Sequence, residues 1–137
     1  MRAERALPVP GGQLPAFVRD AGLANWNRYA AVNDEFVDIH MSDEAGKRAG
    51  YPTAIGMGNL TWAYFHVALH EWFGEQATIK TIAVQFRSAV TRDSQVLIRG
   101  LVTAVRPGSP AEIDVDIWAE NTAGDRLAPG SATVNLP

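Results

Sequence analysis

The chain has no cysteine. That excludes a disulfide framework, a thiol nucleophile and a thiolate metal site, and it suits a reducing cytoplasm. Runs of lysine and arginine are also missing, and the net charge is −3 with a pI near 5.5. Nucleic acid is therefore not expected as a partner, because phosphate neutralisation needs clustered cations. No apolar run approaches the ~18 residues of a membrane helix, so no membrane partner is expected. The opening "MRAERALPVPGG" lacks a long apolar stretch and does not read as a signal peptide. There are no internal repeats and no low-complexity tracts.

What is present reads as one globular domain over residues 1–137. Hydrophobic residues make up 47% and charged residues 20% of the chain, the ordinary proportions of a folded protein. A chain of this length buries roughly two thirds of its unfolded surface, enough for a core without staples. Residues 1–13 carry Pro and Gly and are expected to be irregular. Residues 14–24 fit a short strand or a helical turn. "NWNRYAAVN" (25–33) places Trp26, Tyr29 and Ala30 at helical spacing. "MSDEAGKRAG" (41–50) reads as a short helix: Ser42 caps it, Asp43 and Glu44 suit its positive first turn, Lys47 and Arg48 its last, and Gly50 ends it. "YPTAIGMGN" (51–59) reads as a loop. "LTWAYFHVALHEWFG" (60–74) is apolar on nearly every face and predicts a buried helix stopped by Gly74.

The second half changes period. Strands are expected over 78–90, 94–105, 111–121 and 130–136, with turns at "TRDS", "RPGSP" and "TAGD". In "AEIDVDIWAEN", Ile113, Val115 and Ile117 share one face while Asp114, Asp116 and Trp118 share the other. One buried helix followed by antiparallel strands implies an α+β fold in which a meander wraps the helix.

The stretch "NDEFVDIH" (33–40) sets His40 within reach of Asp34, Glu35 and Asp38. It reads either as a polar surface loop or as an acid–base pair built into a turn. Histidine suits base work because its ordinary titration lies near neutrality. Asp34 and Asp38 read as capping or solvent-facing residues. His66 and His70 stand at i, i+4, a metal-ligand spacing, but no third ligand accompanies them, so no metal is expected. Arg87, Arg92 and Arg99 are either solvated or available to phosphates.

"RYAAVNDEFVDIH", "AGYPTAIGMGNLTWAY", "VQFRSAV" and "ENTAGDRLAPGSATVNL" occur in an order that resembles the MaoC-like hydratase/dehydratase family. The resemblance covers residues 25–137 and implies the hot-dog fold. It implies hydration of 2-enoyl-CoA or dehydration of 3-hydroxyacyl-CoA, without a cofactor. The family's catalytic Asp falls on Glu35 and its catalytic His on His40. Gly58, at the start of the buried helix, takes the oxyanion role through its backbone N–H. Tyr51, Ile55, Met57, Asn59 and Trp62 are the implied substrate-binding residues.

Four departures fall near the site. Glu35 replaces Asp, Val37-Asp38 replaces Asn-Pro, Met57 replaces His, and Asn59 replaces Met. The extra methylene of Glu35 moves its carboxylate by more than an ångström, a displacement that can cost about 100-fold in rate. Acyl-CoA is the implied substrate partner ahead of an acidic acyl-carrier protein. A homodimer or larger assembly is implied, with a second MaoC-like chain as an alternative mate. The rival readings are an accessory subunit and an acyl-CoA thioesterase.

Overall fold

The computed structural model describes residues 6–137. Strand β1 (Phe17–Ala21) leads into helix α1 (Leu23–Asn33), followed by two short helices, α2 (Asp38–Met41) and α3 (Asp43–Arg48). The long helix α4 (Gly58–Phe73) comes next, then β2 (Thr78–Val84), β3 (Ser94–Arg106), β4 (Ala111–Glu120) and β5 (Arg126–Leu136). The strands form one antiparallel sheet in the order β1-β3-β4-β5-β2. With α4 against its inner face, this is the hot-dog fold.

The core follows from residue period. In β4 every odd position from Ala111 to Ala119 is buried, so one face of the strand is apolar and packed. In α4 the buried residues Leu60, Thr61, Phe65, Ala68, Leu69 and Phe73 recur at helical spacing. Phe65 and Leu69 join Val102, Ile113, Val115 and Val134 in a single cluster. Burying each such side chain contributes about 1.5–3 kcal/mol. Gly74 stops α4 at φ 95°, and its N–H donates to the His70 carbonyl at 2.7 Å.

Two expectations need correcting. The sheet is not a plain meander: β2 crosses to the far side of β5, so sequence neighbours β2 and β3 are not paired. Residues 78–90 are not one strand, because β2 ends at Val84 and the chain then leaves the ladder. Of the residues expected to be irregular, 1–5 lie outside the described ones and 6–13 form no strand, yet this stretch touches the sheet: Gly11 N–H donates to Val102 O, Leu14 N–H to Gly100 O, and Gln13 bridges Leu101. The segment at 14–24 contains a strand and then the start of α1, which begins at Leu23.

Two features hold the segment before α4 against this scaffold. Trp26 of α1, 2% exposed, lies under Gly56, where an added Cβ would stand 3.3 Å from the indole and 3.2 Å from Val90. Gly46 of α3 presses against the Thr53 carbonyl so closely that a Cβ there would stand 1.9 Å from its oxygen.

Candidate active site

The segment 34–58 is short helices and turns, so hydrogen bonds rather than a ladder set its shape. Asp34 caps α1 in the left-handed conformation, φ 53°, and Glu35 N–H donates to Ala30 O at 3.1 Å. Val37 O accepts the N–H of His40 at 2.9 Å, which starts α2. Ser42 caps α3 through its hydroxyl, which accepts from Ala45 N–H at 3.3 Å. Asp43 then reaches across: its Oδ1 accepts from Ala54 N–H at 3.0 Å, and its Oδ2 pairs with Arg92 at 2.7 Å. Ile55 N–H donates to Ile39 O at 2.9 Å. Together these contacts lock the loop 51–57 to the helix that carries His40.

The same loop fixes the imidazole. His40 Nδ1–H donates to the Ile55 carbonyl at 2.8 Å, part-buried. A carbonyl can only accept, so Nδ1 carries the proton and Nε2 of the neutral ring keeps its lone pair. His40 lines a cavity of about 550 Å³, together with Tyr51, Ile55, Gly56, Gly58, Thr61, Phe86, Arg87, Ser88, Ala89 and Val90. The walls mix apolar side chains with the polar His40, Tyr51, Thr61, Arg87 and Ser88. At one end lies the N-terminus of α4, whose first N–H groups lack intrahelical acceptors and carry the positive end of the helix dipole. At Gly58 an added Cβ would meet nothing within 4 Å, so glycine leaves open space there.

Four of the eight residues singled out in the sequence therefore share this cavity: His40, Gly58, Tyr51 and Ile55. The other four do not line it. Met57 is 1% exposed and packs in the core as the residue before α4. Asn59 is exposed in the first turn of α4. Trp62 is half-buried, its ring edge-on to His66 at 4.9 Å. Glu35 is half-buried near Tyr29, whose phenol is held above its ordinary range by burial first and by the Glu35 charge second. One Glu35 oxygen, Oε2, is buried without a hydrogen-bond partner among the described residues.

The remaining expectations fall out as follows. His66 Nδ1–H donates to Trp62 O at 2.8 Å and His70 Nδ1–H to Gly74 O at 3.3 Å, so each ring is tied to backbone near its own helix. Among the described residues no three His, Asp or Glu side chains converge as a metal site would need. Of the three arginines, only Arg87 reaches this cavity; Arg92 pairs with Asp43 and Arg99 with Glu120. A larger cavity, about 760 Å³, lies by α1 and holds none of the singled-out site residues. Its arginines, Arg28 and Arg92, share the wall with Asp20 and Asp93, so its charge is balanced.

Sequence reasoning missed Thr61 and the stretch 86–90 as cavity wall. The signal for the stretch is the end of alternation at Phe86, where Arg87 and Ser88 are consecutive polar residues. In the fold, Arg87 and Ser88 N–H both donate to Leu127 O, which turns this stretch over the cavity.

No helix among the described residues is long and apolar enough to cross a membrane. The sequence model of the MaoC like domain matches residues 11–123. No curated protein sequence matches the chain. Among solved structures, a chain of the ChsH1-ChsH2 complex from Mycobacterium tuberculosis is similar at 21% identity and TM-score 0.83, over 96% of this chain and 100% of that one. The (R)-hydratase from A. caviae involved in PHA biosynthesis is similar at 19% identity and TM-score 0.84, over 95% and 98%. R-hydratase PhaJ1 from Pseudomonas aeruginosa is similar at 15% identity and TM-score 0.84, over 95% and 83%. At such identities the likeness is one of fold.

Proposed function

The chain belongs to the MaoC-like domain family, and we propose that it is an acyl-thioester hydratase or dehydratase acting on 2-enoyl-CoA or 3-hydroxyacyl-CoA. The observation that carries this reading is the His40 imidazole, its Nδ1 spent on Ile55 O, standing in one cavity with the leading residue of α4. In hydration, Nε2 takes a proton from water and the water oxygen bonds to Cβ. The double-bond electrons move onto the thioester oxygen as an enolate, held by the Gly58 N–H. The enolate collapses, Cα takes the proton from the imidazolium, and one water has been added. Base catalysis of this kind contributes about 100- to 10,000-fold. A backbone donor aimed at the enolate adds about 100- to 1,000-fold.

Glu35 is assigned the second place in the catalytic pair. The assignment follows from its match to the family's catalytic Asp, since Glu35 itself stands outside the cavity lining, beside Tyr29. Tyr51 and Ile55 are assigned to the acyl thioester, and Arg87 of the cavity wall to the phosphates of coenzyme A. The thiol-free composition suits the reducing cytoplasm.

The reading is tested by incubating the protein with crotonyl-CoA and longer 2-enoyl-CoAs and following the absorbance of the conjugated double bond. Turnover is expected at one or more chain lengths; inertness toward all of them, steroid and aromatic acyl groups included, would contradict it.

A second reading has its own support. Glu35, Met57 and Asn59 depart from the family pattern, Glu35 does not line the cavity, and one similar structure is that of the ChsH1-ChsH2 complex. On that reading the chain is the accessory member of a pair, inert alone and active when co-expressed with a second MaoC-like chain. Both readings share an assembly. Strand β2 has one neighbour in the sheet, and Ile79, Ile82 and Val84 lie half-buried on it. A second chain, identical or related, pairing along that edge would cover it.

A further inference from the structure

Resting on the hydratase reading, we infer that Thr61 is a second donor to the thioester oxygen, completing with the Gly58 N–H a two-point oxyanion hole. Among the described residues Thr61 is the single buried side chain that is polar, at 6% exposure, and it lines the cavity that holds His40. A threonine on a helix ordinarily spends its hydroxyl on the carbonyl four residues back. Here that carbonyl belongs to Met57 and already accepts two N–H groups, from Leu60 at 3.2 Å and from Thr61 itself at 3.3 Å. The Thr61 hydroxyl makes no hydrogen bond to any described residue, and it is not among the buried side-chain atoms sealed away without a partner. It keeps its access at the cavity wall.

Position explains its use. Thr61 stands three residues after Gly58, one helical turn along α4. Helical side chains lean toward the N-terminus, so the hydroxyl covers the turn that exposes the free N–H groups. A buried polar group is costly unless a partner satisfies it. The ligand this arrangement fits has one strong acceptor oxygen next to an apolar chain, with apolar contact from Ile55 and Val90. A thioester carbonyl has that chemistry, and its oxygen becomes a stronger acceptor as the enolate forms. The Thr61 bond therefore strengthens during reaction, and its removal acts on kcat more than on KM.

The test compares wild type with Thr61→Val, which keeps the shape, and Thr61→Ser, which keeps the hydroxyl. Crotonyl-CoA turnover gives kcat and KM. Saturated butyryl-CoA gives a complex without turnover, in which the bound thioester carbonyl stretch is read by infrared difference spectroscopy. Thermal melts confirm that each variant folds. The expected result is a kcat drop of about 100-fold in Thr61→Val with KM changed less than threefold. The carbonyl stretch is expected to shift toward that of the free thioester, and Thr61→Ser to restore both readouts. If wild type turns over and Thr61→Val matches it in kcat and in carbonyl frequency, this inference is overturned and the hydratase reading stands. If wild type turns over no 2-enoyl-CoA of any chain length and binds no saturated counterpart, both are overturned.

Discussion

Strand β4 and the segment 33–41 are of similar length and are built on opposite terms. In β4 half the residues are buried, the neighbours β3 and β5 pair with it along its length, and the buried face repeats every second residue. In 33–41 no residue is fully buried, and Phe36 and Val37 are exposed although apolar. That segment is held by a few specific bonds, chiefly His40 to Ile55 and Ile55 to Ile39. Burial is concentrated in the first region and the proposed chemistry in the second. A scaffold with surplus packing can carry a segment whose residues are chosen for reactivity instead of burial.

The contrast breaks if mutations in the two regions have the same signature. Phe65→Ala, in the core of α4, is expected to cost about 3–5 kcal/mol of folding stability, with normal kcat for the folded fraction. Urea unfolding and active-fraction assays check this. Gly58→Ala is expected to lose at least about tenfold in kcat, since the methyl fills open space where the thioester must approach. Its melting temperature is expected to hold or rise slightly, because alanine favours a helix more than glycine does. A fall in both together would place Gly58 with the scaffold.

Asp43 sharpens the comparison because it joins the regions. Asp43→Ala removes the acceptor of Ala54 N–H and the partner of Arg92. A cost of about 1–2 kcal/mol is expected, together with a severalfold loss of activity as the Ile55 carbonyl loosens from His40. Denaturant titration and turnover on the same sample measure both.

The smallest effect lies on the far side of the sheet. Hydrogen bonds from Arg106, and then from Thr133, hold the Asp114 carboxyl down at about 2. A depressed carboxyl stabilises the fold when ionised. Its contribution is complete above about pH 4 and disappears as the pH falls toward 2. The pair is open to solvent, which keeps the effect small. Asp114→Asn is expected to flatten that part of the acid unfolding curve and leave activity at neutral pH unchanged.

The legible parts of the molecule were those with a period. The alternation in β4, the apolar surface of α4 and the cap of α3 all lie in the sequence where the fold uses them. The crossing of β2 to β5 was not legible, because a turn signal marks where a chain reverses but not which neighbour it joins. Among the site residues, His40, Gly58, Tyr51 and Ile55 meet in one cavity, whereas Met57 turns into the core because the backbone at the start of α4 aims it there. Thr61 was hidden among aromatic residues on a helix that is apolar on nearly every face. Only the occupancy of the Met57 carbonyl reveals that its hydroxyl is spare.

The most direct measurement is crotonyl-CoA turnover by His40→Gln beside wild type, with a thermal melt of each. Glutamine is polar and close to histidine in size but cannot act as a base near neutral pH. Wild type is expected to bleach the enoyl absorbance and His40→Gln to fall by about 100-fold or more with its melting temperature nearly unchanged. Equal rates in the two proteins would contradict the assignment of His40 as the base.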